Sequence, residues 1–124
     1  MKCAWQYFRE LPKPEFKRTQ FISRWESYHG ATLGALSLSG HKGRRKMYAG
    51  LLAENVHHVS PCNPYHRPDG MTIDEYRDYL LLELDAKFEA LGPGNVVAFV
   101  AEPIVGAVSG SHLPIPEPRQ VAHV

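Results

Sequence analysis

A chain of 124 residues has the size of one domain, and with 44% apolar and 22% charged residues it reads as soluble and globular, not disordered. Its net charge of +1 gives no reason to expect nucleic acid or an anionic membrane as partner, and its longest apolar run, Val96 to Ala101, is far too short to span a bilayer. The amino terminus lacks the apolar core of a signal peptide, and two cysteines, Cys3 and Cys62, make no disulfide framework, so a reducing, cytoplasmic setting is expected.

In chain order, Ala4, Tyr7, Phe8 and Leu11 recur at helical spacing, which predicts a short amphipathic helix over residues 2 to 11, closed by Pro12 and Pro14. The β-prone run from Phe21 follows and turns at Tyr28-His29-Gly30, where Gly30 can take a backbone angle closed to other residues. Beyond the turn, the pairs Leu33/Leu36 and Ala31/Ala35 have helical spacing, and Gly40 offers a natural stop. A strand feeding a tight turn and a helix presents its turn at the carboxyl edge of a sheet, where open α/β folds bind ligands. His41 to Lys46 reads as a basic surface loop. Residues 56 to 60 predict a short strand before the loop Pro61-Cys62-Asn63-Pro64-Tyr65.

The clearest helix comes next. Thr72 and Glu75 form a capping-box pattern, and Ile73, Tyr76, Leu80, Leu84, Phe88 and Leu91 fall on one face. Gly92-Pro93 ends it. The run from Val96 to Ala101 has the length and composition of a strand buried on both faces of a parallel sheet. From Ala107 the pattern fades into a proline-rich tail, Leu113-Pro-Ile-Pro-Glu-Pro118.

Three stretches carry a resemblance. Ser27-Tyr-His-Gly-Ala-Thr-Leu-Gly-Ala-Leu-Ser37, His58-Val-Ser-Pro-Cys-Asn-Pro-Tyr65 and Ala98-Phe-Val-Ala-Glu-Pro-Ile-Val-Gly106 occur in the order and at the spacing of the class III pyridoxal-phosphate-dependent aminotransferases, the ω-amino acid aminotransferase group. The chain resembles an internal part of that family's large domain. The resemblance implies an α/β fold: a partial three-layer sandwich with a mainly parallel sheet, as in the large domain of type I pyridoxal-phosphate transferases. Residues 1–106 would be the partial cofactor-binding domain and 107–124 a divergent tail. The first helix would be the end of a longer one.

The resemblance also assigns residues. Tyr28 would stack on the face of the pyridoxal 5'-phosphate ring, with His29 and Gly30 completing the cofactor-binding turn; His29 is as readily read as a hydrogen bond within the turn. Glu102 would bind substrate, in some family members through an arginine that also receives the substrate carboxylate. Val105 stands where glutamine is usual, which weakens any inference about substrate. His57, His58, Cys62 and His66 invite a zinc reading, but their spacing fits no standard finger and no metal is expected. The basic run from Lys42 to Lys46 reads more readily as a solvated turn than as a phosphate contact.

Transamination by this cofactor requires a lysine that carries it and moves the proton. In the family that lysine, and the aspartate that meets the pyridine nitrogen, follow the region matched here, while the phosphate turn precedes it. None of the six lysines (Lys2, Lys13, Lys17, Lys42, Lys46, Lys87) occupies the family's catalytic position, so no catalytic residue is assigned. The expected function is therefore part of an aminotransferase that moves an amino group from an amine or ω-amino acid to a keto acid, in the family as a homodimer, with this chain inactive alone. A non-catalytic structural or dimer-forming domain, or a gene fragment without a role, is the alternative.

Overall fold

The computed structural model describes residues 1–106; the proline-rich tail lies outside the described residues. The elements are α1 (Lys2–Glu10), β1 (Gln20–Arg24), α2 (Leu33–Leu38), α3 (Lys42–Lys46), β2 (Val56–Val59), α4 (Ile73–Leu91) and β3 (Val96–Phe99), with 3-10 turns at Ala49–Leu51, Pro64–His66 and Pro93–Asn95. The strands form a three-stranded parallel sheet in the order β2-β1-β3. The expected α/β fold with a parallel sheet is borne out.

Alternation along β1 builds two cores. Phe21 faces one side with Leu38, Val56 and Val97, and Ala4, Trp5 and Phe8 of α1 pack against that cluster. Ile22 faces the other side with Val59, Leu84 and Val96, covered by Phe88 and Leu91 of α4. Successive residues of a strand point to opposite faces, so the central strand carries both layers. Helices on both faces of the sheet make the three layers.

α4 begins as its sequence predicts. The Thr72 hydroxyl accepts the Glu75 N–H at 3.2 Å, and the Glu75 carboxylate accepts the Thr72 N–H at 2.7 Å. Ile73 departs from the predicted apolar face, being 51% exposed. The reason is length. A helix of 19 residues runs about 28 Å, whereas strands of four residues reach roughly 13 Å, so the first turn of α4 overhangs the sheet.

β1 pairs with β2 in even register from Phe21↔Val56 to Arg24↔Val59. Its pairing with β3 is shifted: Gln20 stands opposite Val96 but Phe21 opposite Ala98. Val97 is the extra residue, a bulge beside the amino end of the strands. Arg18 pins this end, donating to the Pro93 and Val96 carbonyls at 3.0 and 2.8 Å.

Candidate functional site

The carboxyl ends of β1 and β3 meet where the sequence placed the turn. Ser27 Oγ donates back to the Arg24 carbonyl at 2.7 Å and so begins the bend. Glu26 takes a left-handed φ of 57° and Gly30 a φ of 121°. Only glycine adopts the second angle at little cost, as the sequence reading required. Thr32 then caps α2 through the Ala35 N–H.

Two backbone N–H groups of the turn are claimed by side chains. Tyr28 N–H donates to Glu102 Oε2 at 3.1 Å, across 74 positions of sequence. His29 N–H donates to Ser39 Oγ at 2.8 Å. Tyr28 and Glu102 thus share one sheet edge, as two turns following parallel strands must.

The side chains diverge from there. The half-buried His29 ring meets Ser23 Oγ at 3.1 Å through Nε2, beneath the turn. Burial holds its pKa below the ordinary histidine value, with Glu102 pulling the other way. Tyr28 is half-buried, and the Arg44 guanidinium lies 4.9 Å from its ring centroid. Glu102 also lines a small hollow with Trp25, Glu26, Pro61, Cys62 and Val105.

The basic segment is not a loop. Lys42–Lys46 forms α3, with the His41 ring accepting the Arg44 N–H at 3.3 Å as its cap. Arg44 and Arg45 both turn toward the site, Arg44 over Tyr28 and Arg45 into the carbonyl end of α2. Sequence reasoning missed both, together with Ser39 and Trp25. The one available signal was the short span from Gly40 to Lys46, which leaves the basic residues little room to leave the turn.

The four residues of the zinc reading go to different partners. His57 pairs with Gln20 Oε1 at 2.8 Å, His58 meets the Leu38 carbonyl at 3.0 Å and stacks on Trp25 at 4.3 Å, His66 contacts Asn63 at 3.1 Å, and Cys62 is buried. Among the described residues no three His, Cys, Asp or Glu side chains are grouped to hold a metal ion.

No family model matches the chain. It is 52% identical over 120 residues to an aminotransferase of Gibberella zeae, covering 95% of this chain and 23% of the relative. It is 37% identical over 120 residues to a probable mitochondrial gamma-aminobutyrate transaminase of Oryza sativa, covering 94% of this chain and 22% of the relative. The solved omega transaminase of Pseudomonas jessenii in complex with PMP superimposes with a TM-score of 0.83 at 31% identity, over 91% of this chain and 24% of that one. The chain therefore spans about a quarter of the length of the relatives it matches, and over that span it is homologous to the class III, pyridoxal-phosphate-dependent aminotransferases.

Proposed function

We propose that this chain supplies one wall of a pyridoxal-phosphate site in an aminotransferase that moves an amino group from an amine or ω-amino acid to a keto acid. The observation that carries the reading is the hydrogen bond from Tyr28 N–H to Glu102, which joins the two expected site residues at the carboxyl edge of the parallel sheet. The donor set fits part of the cofactor. A half-exposed tyrosine ring offers a platform for a flat heterocycle, and the adjacent Arg44 offers positive charge for its anionic substituent. The cofactor, when bound, would supply the electron sink for transamination. Tyr28 would hold and orient the ring, Gly30 would allow the turn its shape, and Glu102 would hold the Tyr28 backbone while presenting its other oxygen to substrate charge. His29 would support the turn from beneath through Ser23.

The lysine that α3 brings toward the turn, Lys42, lies 5.5 Å from the Trp25 ring centroid. We assign neither it nor any of the other five lysines a role in carrying the cofactor, and this chain alone is expected to show no turnover.

The test is a chimera in which this chain replaces the 52%-identical stretch of the Gibberella zeae aminotransferase. Tyr28→Ala should weaken cofactor retention roughly two- to twelve-fold, the worth of one stacked ring. Glu102→Gln should keep the cofactor and alter how substrates with and without an α-carboxylate compete. Cofactor occupancy unchanged in Tyr28→Ala, measured by absorbance after gel filtration, would overturn the reading.

A further inference from the structure

α2 is six residues long, so its last carbonyls have no following turn to receive them. They are met instead from two neighbouring elements. One Arg45 nitrogen donates to the carbonyls of Leu36, Ser37 and Ser39 at 2.9, 2.6 and 2.8 Å. From β2, His58 Nε2 takes the Leu38 carbonyl at 3.0 Å. Four successive carbonyls are thereby held by two side chains. A cation here also lies at the negative end of the helix, where it is favoured.

The hold reaches the turn through Ser39. That residue is fully buried; its hydroxyl donates to the Ala35 carbonyl at 2.8 Å and accepts the His29 N–H at 2.8 Å. The next residue closes the ring, Gly40 N–H donating to the Ser27 carbonyl at 3.0 Å. The hydrogen bonds therefore run from Arg45 to the end of α2, from Ser39 to His29, and from Gly40 to Ser27 on either side of Tyr28. Arg45 itself is half-buried beside Trp25, 5.6 Å from the ring centroid, so it is not a solvated surface charge.

We infer that Arg45 is a positioning residue for the Tyr28-His29-Gly30 turn, acting through the carbonyl end of α2 and the Ser39 hydroxyl. Its functional meaning rests on reading that turn as the cofactor platform; the geometry does not. Arg44, on the same helix, would then reach the Tyr28 ring only while Arg45 keeps α3 docked on α2.

Amide hydrogen exchange on the full chain tests this, with Arg45→Gln, Arg45→Lys, Ser39→Ala and the double variant Arg45→Gln/Ser39→Ala. Arg45→Gln should speed exchange at His29 and Gly40 by about tenfold or more, with Phe21 of β1 and Val100, whose N–H meets the Ile22 carbonyl, unchanged. Arg45→Lys, whose ammonium keeps three donors, should restore part of the protection. The double variant should expose His29 no further than the more severe single one, because both act on one link. Exchange that rises equally at His29 and Phe21, fails to rise at His29, or adds up in the double variant overturns the inference. If Arg45→Gln does not fold, Arg45→Lys and Ser39→Ala carry the same comparison, and His29 exchange unchanged in both overturns it. Pyridoxal phosphate failing to bind the unsubstituted chimera would defeat the reading of the turn's function, whereas the exchange pattern alone decides the role of Arg45.

Discussion

His29, His57 and His58 are the histidines whose charge state the fold resists. Burial holds all three below the ordinary histidine value of 6.5; Lys87 adds to the effect at His57 and the Arg45 guanidinium at His58, where hydrogen bonds to the backbone oppose it. An unfolded chain takes up these protons near pH 6.5 and the folded chain only lower down. Between those values the unfolded state binds more protons, so stability falls as pH drops below about 6.5 and is level above it. The melting temperature should decline on acidification through that window, and His58→Gln, which keeps a donor for the Leu38 carbonyl, should flatten the decline. Equal slopes in the two proteins would remove His58 from the account. At this scale the meeting of Tyr28 and Glu102 was legible because parallel strands send their following turns to one edge. His29 was open between ligand and turn, and its ring bonds Ser23. Arg44 and Arg45 were illegible because a basic run has the same composition whether it is solvated or folded over a tyrosine.

Among the elements, α4 was legible end to end because a capping box and a long apolar period specify a helix locally. α3 was not, since five residues carry too little pattern to separate helix from loop. Gly40 was read as a helix stop, yet α2 ends at a Ser39 cap with extended backbone and Gly40 has no left-handed φ. Its smallness serves another purpose. A Cβ on Gly40 would stand 2.5 Å from the Trp25 Cα and 2.6 Å from the Glu26 nitrogen, and closer still to the Arg24 carbonyl oxygen. All three are backbone atoms, which cannot swing aside. Gly40→Ala should therefore part α2 from the end of β1 and cost about 3 kcal/mol or more. Chemical denaturation measures this, and a variant with the parental midpoint would show that the contact yields.

Taken whole, the described sheet ends in two open edges. β2 and β3 are the outer strands of the described sheet, and Met47, Leu51, Tyr65 and Leu82 are 86%, 65%, 88% and 70% exposed. Unpaired strand edges of this kind favour association. The isolated chain should sediment as species larger than its 14.0 kDa. A monodisperse monomer would refute this. The fold class was legible at this scale because a buried apolar strand after a long helix is half of a parallel crossover. What covers the outer faces was not, because no local pattern names a distant partner.

The register of β3 past its bulge makes the candidate site a matter of counting. Val97 is the residue β1 does not match, so deleting it would let the strands pair evenly and leave Glu102 in place, whereas deleting one of residues 99–101 would draw Glu102 back by one step of roughly 3.3 Å and turn its carboxylate to the other face of the sheet. Tyr28 would then lose the acceptor for its N–H. Across descendants of this gene, the number of codons between Ala98 and Glu102 should therefore drift far less than the identity of the amino acids they encode.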